Sequence, residues 1–72
     1  MNAEKSIDLT IEAVKEAGHG YDLIATLECC LQNGYNDFDR GDIFYATDYD
    51  QGFNYMYAKM EELEIAHLAV IV

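Results

Sequence analysis

Residues 43–72, IFYATDYDQGFNYMYAKMEELEIAHLAVIV, decide the fold. Ile43-Phe44-Tyr45-Ala46-Thr47 is a β-branched and aromatic run, the composition of a strand. Asp48-Tyr49-Asp50-Gln51 then forms a capping-box pattern, with Asp48 at the N-cap and Gln51 three residues on. It predicts a helix over Gln51–Leu63 with Phe53, Met56, Tyr57, Met60 and Leu63 on its apolar side. The chain closes on His67-Leu68-Ala69-Val70-Ile71-Val72, an uninterrupted apolar run that suits a buried strand. Strand, helix and strand in this order predict a right-handed βαβ crossover. Two strands alone make a poor sheet, so the upstream elements must cover one face or a second copy must extend the edge.

Upstream, two helices are expected. The first runs from Ala3 to Ala17, with Asn2 or Ser6 as its cap and Gly18 as its stop. Ala3, Ile7, Ile11 and Val14 share one side; Glu4, Asp8, Glu12 and Glu16 recur every fourth residue on the other, ~6 Å apart along the axis. Lys5 and Lys15 fall on that acidic arc, so the plain alternative is a solvated face with i,i+3 ion pairs. The second helix runs from Tyr21 to Asn33, with Leu23, Ile24, Leu27, Cys30 and Leu31 inward and Cys29 outward. Asn33-Gly34 ends it. The short connection at His19-Gly20 predicts an antiparallel helical hairpin. The expected fold class is therefore α+β: one domain over residues 1–72, a helical hairpin followed by strand-helix-strand (ααβαβ).

Charge is the other dominant signal. Fourteen Asp and Glu accompany only Lys5, Lys15, Arg40 and Lys59, for a net charge of −10 over 72 residues. A domain this small has a thin core, and self-repulsion weakens it further. Hydrophobic residues are 51% of the chain, too many for a disordered acidic tail. A compact chain of this length is about 30 Å across, so its mean linear charge density is about half that of duplex DNA.

Several function classes lose support on residue type and spacing. Direct nucleic-acid binding needs a basic footprint, and this chain has the reverse. No stretch reaches the ~18 apolar residues of a membrane span. MNAEKSIDLT has neither a basic start nor an apolar run, so it does not read as a signal peptide. Adjacent Cys29 and Cys30 form no disulfide framework and no zinc-ligand pattern, which points to a reducing, cytoplasmic setting. Calcium loops fail on register. Counting from Asp37, Gly41 falls at position 5 and Asp48 at 12; counting from Asp48, Gly52 falls at 5 and Lys59 at 12. Paired-carboxylate hydrolysis at Asp37, Asp39 and Asp42 lacks room for a water-excluding cleft. Cysteine–histidine chemistry with His19 or His67 has no local motif. No catalytic residue, metal ligand or cofactor is assigned.

What remains is docking by carboxylates. Asp37, Asp39, Asp42, Asp48 and Asp50 flank the expected strand and lead the candidates, with Tyr49 beside them. Glu61, Glu62 and Glu64 follow if they fold beside that loop; the first-helix ridge of Glu4, Asp8 and Glu12 ranks third. Carboxylates on a rigid surface pair with the Arg and Lys that otherwise grip phosphate. Tyr35, Tyr49 and Tyr55 would add contact area.

Small size, strong acidity and interleaved tyrosines resemble the DNA-mimic inhibitors of phages and mobile elements: anti-CRISPR and anti-restriction proteins, and inhibitors of uracil-DNA glycosylase. The resemblance covers the whole chain and rests on no motif. It implies a non-enzymatic inhibitor that occupies the basic DNA-binding surface of an effector such as a CRISPR complex, in the cytoplasm of the host cell. The other reading is an acidic interaction module, an antitoxin or regulatory adaptor, that docks a basic protein without mimicking DNA. A mimic spreads its carboxylates along a track; an adaptor gathers a few around an apolar anchor. The C-terminal strand also offers an edge for a homodimer.

Overall fold

The computed structural model describes residues 1–33, 35–37, 42–44 and 48–72, and side chains for 1–31 and 48–72. Three helices build it: α1 over Ala3–Glu16, α2 over Tyr21–Asn33 and α3 over Tyr49–Glu62. Each end is set by local chemistry. Asn2 Oδ1 accepts the Lys5 N–H at 3.1 Å, and Asp48 Oδ1 accepts the Gln51 N–H at 2.9 Å, so α1 and α3 begin on side-chain caps. α1 stops at Gly18, whose φ of 89° closes the turn. The Gly18 N–H then donates to Lys15 and the His19 N–H to Val14.

The core is the apolar stripe of α3 held between the other two helices. Met56 and Met60 are fully buried, and Phe53 nearly so. Ala3, Ile7 and Val14 pack on it from α1, and Ile24 and Leu27 from α2, with Ile65 closing one end. The Tyr57 ring stacks on Phe53 one turn away, centroids 6.1 Å apart. Leu63, expected on this side, is instead 43% exposed. α1 and α2 each contact α3 more extensively than they contact each other.

The expected α+β class is corrected: the fold is all-helical. No βαβ crossover exists among the described residues. Tyr35–Asp37 and Asp42–Phe44 pair antiparallel, with Tyr35 opposite Phe44 and Asp37 opposite Asp42, but three-residue segments form no sheet that organises the core. Ile43 and Phe44 of the expected 43–47 strand belong to this short ribbon; Tyr45, Ala46 and Thr47 lie outside the described residues.

The C-terminal strand is replaced by a different device. Ala66–Leu68 forms one 3-10 turn, and the chain then runs extended along α1. Thr10 Oγ1 accepts the Val70 N–H at 2.9 Å and donates to the Val70 carbonyl at 3.3 Å. Ser6 Oγ accepts the Val72 N–H at 3.1 Å, and the Asn2 N–H donates to the Val72 carbonyl at 2.6 Å. Asn2, Ser6 and Thr10 are spaced four apart and share a helix flank. They offer the extended tail the alternate donors and acceptors that a neighbouring strand would supply. Ser6 and Thr10 are both fully buried, and each is satisfied through this contact. The edge proposed for a homodimer is thus not a strand, and its Val70 and Val72 groups are already paired.

The end of α3 carries a conformational cost. The Ile65 N–H donates to Met60 and the Glu64 N–H to Glu61, a Schellman closure with Glu64 at the left-handed position, φ 62°. Glycine is the residue such a position favours, and a side chain there costs about 1 kcal/mol or more.

Two measurements check these assignments by urea unfolding. Thr10→Val strands the Val70 amide and is expected to cost about 1–3 kcal/mol. Glu64→Gly is expected to stabilise by about 1 kcal/mol and Gly18→Ala to destabilise by a similar amount, because both sites hold a positive φ and only the residue differs; a Cβ at Gly18 meets nothing within 4 Å, so the cost there is conformational.

Candidate interaction surface

Every acidic side chain that the structure describes is exposed: Glu4, Asp8, Glu12 and Glu16 on α1, Asp22 and Glu28 on α2, Asp48 and Asp50 at the start of α3, and Glu61, Glu62 and Glu64 at its end. The molecule measures 33 × 25 × 17 Å with a radius of gyration of 11.5 Å, so the charge sits on a small, slightly elongated body. One ion pair among the described residues, Lys59 to Glu62 at 2.8 Å, takes up an acid at the end of α3. Among the described residues no ion pair involves Lys5 or Lys15; the acidic face of α1 is solvated, as the plain alternative expects, without the i,i+3 ion pairs.

The expected candidates separate into distinct places. Asp48 and Asp50 stand at the N-terminal end of α3, where Asp48 is committed to capping. That commitment also rules out the calcium register beginning at Asp48, since the next residues are helix rather than loop. Glu61, Glu62 and Glu64 lie at the other end of the same helix, about 20 Å away along its axis. They therefore do not gather beside Asp48 and Asp50. Asp37 and Asp42 face each other in the short ribbon's register; Asp39 lies outside the described residues. Tyr49 is 60% exposed, while Tyr55 is half-buried.

The structure does bring Asp8 and Glu12 together with groups that the sequence left unassigned. They line an open groove of about 450 Å³ between α1 and α2. Its floor is Ile7, Ile11 and Leu31, and Glu28 of α2 adds a third carboxylate. Lys15 sits at its rim, the single cation among the described lining residues. Glu4 continues the α1 row one turn earlier on the same flank. Glu28 was missed because it reads as an isolated acid in an apolar helix. Its position three residues before Leu31, on the same side of α2, is the one sequence signal that places it at the groove.

The two cysteines differ as their positions demand. Cys29 is exposed and Cys30 buried. Burial pushes the Cys30 thiol above its usual value; the Lys59 ammonium pulls it back, while Cys29 and Glu62 add to the rise. Among the described residues no three His, Cys, Asp or Glu side chains converge as a metal site, and no helix is long and apolar enough to cross a membrane.

Comparison with protein families, characterised proteins and solved structures finds no match to this chain. The surface must therefore be judged on its own chemistry.

One consequence concerns the thiols. Alkylation by iodoacetamide at pH 8 is expected to label Cys29 rapidly and Cys30 only slowly, the two rates converging in urea; mass spectrometry of the two positions over time measures this. Because the folded Cys30 thiol is raised, its contribution to stability is complete below pH 9 and is lost as pH climbs through the raised value.

Proposed function

We propose that this protein is a non-enzymatic inhibitor that occupies the basic nucleic-acid-binding surface of a DNA-targeting effector. The specific form we favour is an anti-CRISPR protein acting as a DNA mimic in the cytoplasm of the host cell. One observation carries the reading: a net charge of −10 spread over a body 33 Å long, with all described carboxylates at the surface. That is one net charge per about 3.3 Å, close to the 3.4 Å spacing of charges along a single DNA strand. Glu4, Asp8, Glu12 and Glu16 supply a rigid part of this track, in ~6 Å steps along α1. The partner's Arg and Lys would exchange phosphate for carboxylate, releasing the counterions of both surfaces.

The groove favours a second reading, an acidic adaptor or antitoxin. Asp8, Glu12 and Glu28 surround an apolar floor, the arrangement expected of docking around an anchor rather than along a track. Both readings require a basic protein partner and no cofactor.

The test is displacement. Labelled target DNA bound to purified CRISPR surveillance complexes and restriction enzymes is titrated with this protein at low and high salt. Loss of DNA binding from one effector, relieved by salt, is the expected result. Asp8→Lys with Glu12→Lys should weaken that displacement at least tenfold without loss of the folded state. Retention of DNA by every effector would overturn the mimic reading and leave the adaptor.

A further inference from the structure

We infer that the α1–α2 groove is a seat for a basic amphipathic helix of the partner, its apolar side on Ile11 and Leu31 and its Arg or Lys side chains on Asp8, Glu12 and Glu28. The inference rests on the proposed docking of a basic protein and names the segment by which that partner is gripped.

Three observations converge on it. The first is shape. α1 and α2 are both drawn onto α3, so the space between their outer flanks remains an open trough of about 450 Å³. A trough between two helices accepts the side-chain ridge of a third. The second is the division of labour around α1. One flank, Asn2, Ser6 and Thr10, is consumed by the chain's own C-terminal tail. The middle, Ala3, Ile7 and Val14, is core. Ile11, half-buried, faces the trough with Asp8 and Glu12 beside it. The tail therefore cannot be the occupant, because it is bound on the other flank. The third is charge. Among the described lining residues, carboxylates come from both walls, two from α1 and one from α2, against Lys15 alone. An acidic peptide, a nucleic acid or a second copy of this chain at −10 would be repelled. A purely polar basic surface would leave the half-exposed Ile11 and Leu31 unused. A helix with apolar residues at i, i+3, i+4 and i+7 and basic residues on either side satisfies floor and walls together.

The probe is a labelled helical peptide of leucine, arginine and alanine, about 18 residues long, built to that pattern. Its control has the same composition scrambled to remove the apolar stripe. Fluorescence anisotropy with the full chain should show the patterned peptide binding at least tenfold more tightly than the control. Leu31→Gln should cut that preference about tenfold, and Asp8→Asn with Glu12→Gln and Glu28→Gln should weaken binding and flatten its salt dependence. The neutralised acids are all exposed, so this variant keeps the test valid if Leu31→Gln fails to fold, which thermal unfolding reports. Equal binding of patterned and scrambled peptides, or no binding of either, overturns the groove; so does binding unchanged in the neutralised variant. The two proposals fail separately. DNA displacement that survives groove neutralisation retains an inhibitor and removes this seat. Patterned-peptide binding with no effector displaced retains the seat and removes the mimic.

Discussion

The burial of one stripe on α3 governs the rest of the molecule. Phe53, Met56 and Met60 are buried along one side of α3, and a 72-residue chain has room for a single core. Both other helices are committed to covering that stripe. Their mutual contact is what remains, and it is small enough to leave a trough. The groove is therefore a by-product of core economy in a short chain. It needs no special loop or inserted segment, only two helices that each prefer a third.

The same constraint explains the C-terminal segment. Its six apolar or weakly polar residues match a buried strand on composition, yet among the described residues no strand pairs with them. α1 receives them instead, through hydroxyls placed four residues apart. Val70 and Val72 present their backbone groups to Thr10 and Ser6 in strand-like alternation, against a helix. Ser6 and Thr10 interrupt the apolar side of α1, and a reading by hydrophobicity alone passes over them. The helices were legible because periodicity and capping agree at Asn2, Gly18 and Asp48. The tail was not: its apolar run suggests a buried strand, yet Leu68, Ala69 and Val70 are only half-buried and Ile71 and Val72 are exposed, because the segment lies on the outside of α1 and is held by its backbone.

The interaction surface divides in the same way. Asp8 and Glu12 were legible as acids on the outward arc of a helix, since period and residue type suffice for that. Their junction with Glu28 and Leu31 was not, because it depends on how α2 lies beside α1. The separation of Asp48 and Asp50 from Glu61, Glu62 and Glu64 follows from the length of α3, once its start and end are known. Leu63 was misjudged because the Schellman closure redirects the chain: Ile65 turns into the core in the place that helical periodicity assigned to Leu63.

Glu64 sharpens the argument about charge. Its backbone occupies a left-handed conformation that suits glycine, and its carboxylate stands at a helix C-terminus, where the dipole favours a cation. Two independent rules of folding disfavour this residue at this position. The same holds, more weakly, for eleven exposed carboxylates crowding a body 33 Å long. Docking on a basic surface is the use proposed for this charge. Ionic strength separates the two effects by sign. Screening relieves self-repulsion and so strengthens the folded state, while it weakens attraction to a basic partner. A salt-driven loss of binding therefore reports on the interface, because over the same range the protein itself becomes more stable.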